Sequence, residues 1–313
     1  YRLSEQAGPV CEEALAGGLG QDWRDRLDKE SAAKLERGVR WNAIIRPFSF
    51  KRAGVRKIKD VVFGREDGLD LKLDIYRPDS EAKDCPLLLQ IHGGGWVVGD
   101  KREQALPLMY QMSSHGWACA TMNYRLSSLF PSIPGATFPE HLVDVKRALA
   151  YLREHAGDYG IDPNFVVVTG GSAGGHLTAM MMATEWPAFA GGLPADLIKG
   201  GCAISGIYDL EPIRLTFMQE TLGFTPEQVA RNSPIGLTPT TPAPPAPMIV
   251  AAGGDESEEF LRQSEIFTAQ WAKEGVPCEM MVRPGFNHFT ILGEFADPES
   301  GLTRAVRKQM GLG

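Results

Sequence analysis

The stretch Phe165-Val166-Val167-Val168-Thr169-Gly170-Gly171-Ser172-Ala173-Gly174-Gly175-His176-Leu177 decides how this chain is read. Its first residues form a short apolar run, typical of a strand buried on both faces. From Gly175 to Ala183 the pattern suits a helix. Between the two lies the spacing Gly-x-Ser-x-Gly. Gly170 and Gly174 allow a helix to start hard against the strand it follows, and Gly171 removes a side chain beside the serine. That strand–turn–helix setting is a nucleophile elbow. It holds a serine hydroxyl at a strand tip, facing the free N–H groups of a helix start.

Outward from that turn, strand and helix patterns alternate. Val55–Phe63 and Leu69–Tyr76 show period-two alternation and predict antiparallel strands. Leu87-Leu88-Leu89-Gln90-Ile91 predicts a buried strand. Further strands are expected at 117–123, 165–169, 200–205, 248–252 and 278–282, and helices around 103–115, 140–156, 258–274 and 303–310. The class is therefore α/β, with a mostly parallel central sheet flanked by helices and an antiparallel N-terminal edge. The Pro-rich run 238–247 reads as a stiff loop rather than a linker. Residues 1–54 differ, with a charged amphipathic pattern from Asp22 to Asn42. They read as a helical cap or as a solvated extension, leaving 55–313 as the catalytic domain.

Composition narrows the function classes. The chain has 313 residues and a net charge of −7, with no Lys/Arg stripe interleaved with aromatics, so nucleic acid is not an expected partner. No apolar run reaches the roughly 18–20 residues that span a bilayer, so no transmembrane segment is expected. Cys11, Cys85, Cys119, Cys202 and Cys278 are scattered and never form Cys-x-x-Cys, which points to reduced thiols, no metal site and a cytoplasmic setting. The chain opens on Tyr1, so a removed leader is left open, as is oligomeric state, a homodimer included. A strict Gly-x-Gly-x-x-Gly fails because Ser172 occupies the place of its second glycine counted from Gly170. Gly-x-x-x-x-Gly-Lys-Ser/Thr is absent, and no cofactor is expected.

Chemistry gathers around Ser172, the candidate nucleophile, whose hydroxyl needs an adjacent base. His92-Gly93-Gly94-Gly95-Trp96 follows the buried run 87–91, and its glycines leave backbone N–H groups unshielded. An oxyanion hole requires such donors, and the candidates are Gly93, Gly94 and Ala173. His92 reads as a brace for that loop, and Trp96 as either a pocket wall or packing. In this class of sites the order along the chain is serine, acid, histidine. Of the six histidines only His288 lies beyond the last expected strand. His176 sits a turn into the helix and points along its side. The acid should follow the strand 248–252. Asp255 is preferred there, with Glu256 a rival one residue on. The implied reaction is attack by Ser172 on a carbonyl, with His288 as base, through an acyl-enzyme that water then releases.

These residues resemble a known group. From about 55 to 312 the chain is similar to the α/β-hydrolase superfamily, and His92–Trp96 with Gly170–His176 resembles hormone-sensitive-lipase-like carboxylesterases. Leu88–His92 through Gly99–Arg102 looks like actinobacterial esterases of that kind. Ser205–Pro212, Glu259–Ser264 and Pro284–Phe289 resemble segments of kynurenine formamidases. The resemblance implies Ser172, Asp255 or Glu256, and His288 as a triad. Counting back from Phe260 favours Glu256, while counting forward from the strand favours Asp255. It implies hydrolysis of small or aryl carboxylic esters, or alternatively of N-formylkynurenine. Arg262 and Gln263 read as structural helix residues.

Overall fold

The computed structural model describes residues 53–104, 115–128, 135–237 and 245–311, with 109, 111, 113 and 239, and near the N-terminus 13, 15–18, 20–29 and 32. Packing divides the chain into two units, Tyr1–Ser49 and Phe50–Gly313. In the first, residues 15–18 are helical and Trp23–Arg26 forms a 3-10 turn. Most of the helix expected over Asp22–Asn42 lies outside the described residues.

The second unit is built on one eight-stranded sheet. Its strands are β1 (Val55–Glu66), β2 (Leu69–Pro78), β3 (Cys85–Ile91), β4 (Ala118–Met122), β5 (Ile161–Gly171), β6 (Ile198–Ile204), β7 (Met248–Gly253) and β8 (Cys278–Arg283). Their spatial order is β1-β2-β4-β3-β5-β6-β7-β8. β1 pairs antiparallel with β2, and β2 antiparallel with β4. Every other neighbouring pair is parallel. The antiparallel edge turns at Asp67-Gly68, both with positive φ (52° and 76°), which matches the right-handed twist of a hairpin. β5 is longer than the sequence pattern suggests, because Ile161 pairs with Cys85 ahead of the apolar run.

Both faces of the sheet are covered, as the continuous apolar runs require. Along β3 and β5, Leu87, Leu89, Ile91, Val166 and Val168 join one core, while Leu88 and Val167 join the other. Helix α1 (Glu140–Glu154) packs Val145, Ala148, Leu149 and Leu152 into the first core, a single helical face. Helix α2 (Ala173–Met182) is buried at every position. Between β6 and β7 lie short helices that the sequence pattern left unresolved, including α3 (Pro226–Asn232). Its start is fixed by a capping box, Thr225 with Gln228. Helix α4 (Glu258–Lys273) adds Phe267 and Trp271 to the first core. Helix α5 (Gly301–Gln309) adds Leu302 and Val306 to the second. Of the helix expected at 103–115, Met109, Gln111 and Ser113 are helical and the remainder falls largely outside the described residues.

Parallel pairing sends the carboxyl ends of β3, β5, β6, β7 and β8 to one edge of the sheet, where open α/β sheets bind ligands. The loop 92–101, Ser172, Ser205, Glu256 and the loop 284–293 all follow those ends.

Candidate active site

Ser172 stands between β5 and α2 with φ 58° and ψ −121°. A non-glycine residue there is strained, and the strain persists because its surroundings over-determine it. The Ser172 N–H donates to Ile204 O at 2.8 Å. A Cβ on Gly170 would lie 2.7 Å from Ile91 O, and one on Gly174 would run into the same carbonyl at still shorter range. The end of β3 is thus pressed against the turn, so the glycines are required by contact as well as by conformation.

A cavity of about 540 Å³ opens beside Ser172. Its lining includes Ser172, His288, Ser205, Gly94, Gly95 and Gln104, with Phe289, Ile291 and Leu292 supplying apolar surface. Ser172 and His288 are therefore brought to one space from opposite halves of the unit.

The acid facing His288 is Glu256. His288 Nδ1 lies 3.0 Å from Glu256 Oε2, and the glutamate side chain is fully buried. A carboxylate only accepts, so Nδ1 carries the proton and Nε2 is left to act as a base. Glu256 Oε1 accepts the Gly253 N–H at 2.7 Å and the Ser205 hydroxyl. Burial opposes charge on this carboxyl, but the bonds from His288, Ser205 and Gly253 more than offset it and hold its pKa below the ordinary value. The expectation for Asp255 is corrected here. Its backbone N–H donates to Phe286 O at 3.0 Å, and its side chain is exposed. The turn after β7 aims residue 255 outward and lets the longer residue 256 curl back over Gly253.

The loop carrying His288 is fixed from several sides. Gly254 N–H donates to Arg283 O at 2.8 Å. Arg283 clasps the buried Glu294 through Nε and Nη2, closing the loop from 284 to 293. The Phe260 ring packs 4.5 Å from the His288 ring. Ser205, Phe260 and the Arg283–Glu294 pair were not singled out from sequence for roles at this site. Ser205 carried a usable signal, since it directly follows a strand at the sheet's carboxyl edge.

The glycine loop also differs in detail from its sequence reading. Gly93 N–H donates to Gln104 Oε1 at 2.8 Å, and it is Gly94 and Gly95 that line the cavity. Positive φ begins not at the first glycine but at Gly94 (φ 100°), continuing through Gly95 (φ 59°) and Trp96 (φ 63°). Neither the Gly94 nor the Gly95 N–H has a protein acceptor among the described residues. The Ala173 N–H opens α2 and so has no partner within the helix.

Beneath this loop the histidines of the first core are spoken for. His92 is buried, stacks on Tyr124 at 4.3 Å and makes a 2.7 Å contact from Nδ1 to Gly93 O, the bracing position expected for it. His176 meets Asn232 O at 2.7 Å through Nε2. Burial lowers the pKa of His92, and brings His141 and His176 down to about 4. Trp96 is fully buried and packs edge-on against Phe138 and His176, so it is core rather than cavity wall. Lys101 ends the loop, buried with its ammonium 2.7 Å from Asp60 and 3.2 Å from Asp74. Gln263 accepts from the Tyr208 and Asp209 N–H groups, the structural role expected of it. Among the described residues, no helix is long and apolar enough to cross a membrane.

Comparison with known proteins places this geometry in a family. A model of the prolyl oligopeptidase family matches residues 140–305, and one described as BD-FAE matches 73–192. The chain is 34% identical to the probable carboxylic ester hydrolase LipM of Mycobacterium tuberculosis, over 86% of this chain and 64% of that one. It is 30% identical to a kynurenine formamidase of Salmo salar, over 83% of this chain and 84% of that one. A solved structure of Thermogutta terrifontis esterase 2, phosphonylated by cyclosarin, superposes with a TM-score of 0.62 at 25% identity, covering 84% of this chain and 92% of that one. The chain spans less than two thirds of the length of the mycobacterial relative.

Proposed function

The chain belongs to the α/β-hydrolases, on their hormone-sensitive-lipase-like esterase branch, and from that premise we propose that it is a serine carboxylesterase. Ser172 is the nucleophile, His288 the general base and Glu256 the acid that orients it. The oxyanion donors are the N–H groups of Gly94, Gly95 and Ala173. In the first half-reaction Ser172 Oγ attacks the ester carbonyl while His288 Nε2 takes its proton. Glu256 holds the Nδ1 proton and stabilises the imidazolium without taking that proton. The tetrahedral oxyanion collapses as His288 protonates the leaving alcohol. Water then attacks the acyl-enzyme by the same route.

The observation that carries this reading is the pairing of His288 with a buried Glu256 at the cavity that opens on the strained Ser172. The cavity, about 540 Å³, suits a small-molecule substrate. Free thiols at Cys85, Cys119, Cys202 and Cys278 fit a reducing, cytoplasmic setting. A fluorophosphonate probe tests the nucleophile. Labelling is expected on wild type and absent from Ser172→Ala, whose turnover of 4-nitrophenyl acetate should fall by about 10⁴ or more. Equal labelling of the two proteins would refute the assignment.

A second reading, hydrolysis of N-formylkynurenine, is favoured by the formamidase similarity, which extends over most of both chains. Both reactions use the same groups and differ in what fits above Ser172. The ratio of kcat/KM for N-formylkynurenine and for a short-chain nitrophenyl ester separates them.

A further inference from the structure

Gln104 lines the cavity but has no part in the scheme above. Its Oε1 accepts the Gly93 N–H at 2.8 Å. An N–H can only donate, so this bond fixes the orientation of the carboxamide and leaves Nε2, with two N–H bonds, as the free end. A Cβ on Gly93 would lie 3.2 Å from Gln104 Nε2 and 3.2 Å from Ser172 Cβ, so that free end and the nucleophile flank the same glycine. Nε2 has no protein acceptor among the described residues. Once a substrate displaces water from this wall, an unmatched donor costs free energy, whereas a matched one contributes to binding. The cavity lining includes the acidic residue Glu103 and, among the described residues, neither Arg nor Lys. A neutral acceptor therefore suits this wall better than an anionic one.

We propose that Gln104 is a specificity-determining residue whose Nε2 donates to a neutral hydrogen-bond acceptor a few bonds from the scissile carbonyl. The substrates are then oxygenated esters or formamides, carrying an ether or ketone oxygen, rather than plain hydrocarbon esters. This rests on the serine-hydrolase reading above.

Two isosteric pairs, each exchanging one methylene for oxygen, test it. On the acyl side the pair is 4-nitrophenyl methoxyacetate and 4-nitrophenyl butyrate. On the alcohol side it is 2-methoxyethyl acetate and butyl acetate. The kcat/KM ratio of ether to hydrocarbon is measured for wild type, Gln104→Glu and Gln104→Met. Intrinsic ester reactivity cancels when each variant's ratio is divided by that of wild type. Gln104→Glu keeps an acceptor for Gly93 but loses the donors, while Gln104→Met loses both. The ratio should fall about tenfold in both variants for at least one pair, the size of one lost hydrogen bond. Unchanged ratios in both pairs and both variants would reduce Gln104 to a brace for Gly93 and overturn the inference. A wild type that turns over none of the four esters and takes no fluorophosphonate label would instead remove the hydrolase reading, and this inference with it.

Discussion

The two walls of the cavity are held by different means. On the side of Ser172 and the glycine loop, backbone does the holding. Positive φ angles at Gly94, Gly95, Trp96 and Ser172 and the close approach of Ile91 O set the positions. On the side of His288, side chains do it. Glu256 is gripped by Ser205, Gly253 and His288, and Arg283 by Glu294. A wall made of backbone tolerates no added atoms, whereas a wall made of side chains tolerates no change of charge or reach.

The sharpest break between the walls is at Glu256. Glu256→Gln should lower kcat by about 10³–10⁴, since the wrong imidazole tautomer is then favoured. Asp255→Asn, one residue away and exposed, should change kcat by no more than a few-fold. Steady-state kinetics of the two variants decides between them, and a larger loss in Asp255→Asn would overturn the geometric assignment. The opposite wall should break through stability. In Gly174→Ala the new methyl meets the carbonyl of Ile91, which is rigid strand backbone. A loss of about 3 kcal/mol or more in urea unfolding is expected, the upper end for overpacking, because the blocking group cannot move aside. A midpoint equal to wild type would show that the turn has slack.

A smaller effect than at Glu256 or Gly174 is expected at Ser205. Glu256 is lowered in pKa by its partners, so its stabilising charge is present above the ordinary carboxyl value and is lost as pH falls through the lowered one. Removing a donor raises the folded pKa, so Ser205→Ala should move that loss to higher pH. A ¹³C titration of the Glu256 carboxyl should show the rise, with turnover reduced about tenfold or less. An unmoved titration would mean that His288 and Gly253 suffice.

The same contrast explains what was legible in the sequence. Strand runs such as Leu87–Ile91 and Val166–Val168 announced themselves because both faces of the sheet are buried. The elbow was legible because only glycine fits beside Ile91 O, a steric demand that leaves its mark in residue type. The choice between Asp255 and Glu256 was not legible. Two carboxylates in one loop differ only in where the turn aims them, and that depends on Gly253, Phe286 and Ser205, which are distant in sequence or silent in pattern. The proposed donor pair, Gly94 and Gly95, differs by one residue from the pair expected from sequence for a similar reason. Gly93 is as bare as Gly94, and only the Gln104 side chain, met in space, marks its N–H as taken. The helices between β6 and β7 escaped a pattern of long periodic segments because each is a turn or two in length.

The place of β8 has a consequence for how the molecule comes to work at all. Among the described residues it is the last strand in sequence and one of the sheet's two edges, paired with β7 alone. The loop that bears His288 hangs from its end. A chain emerging during synthesis, or one whose edge strand has frayed, already owns the elbow and the glycine loop but does not yet hold His288, the proposed base, at the cavity. Ser172 and His288, which line one cavity, lie far apart in the chain, and bringing such residues together costs loop-closure entropy before any contact rewards it. On the proposed roles, the site is complete only when β8 has joined the sheet and carried His288 to the cavity.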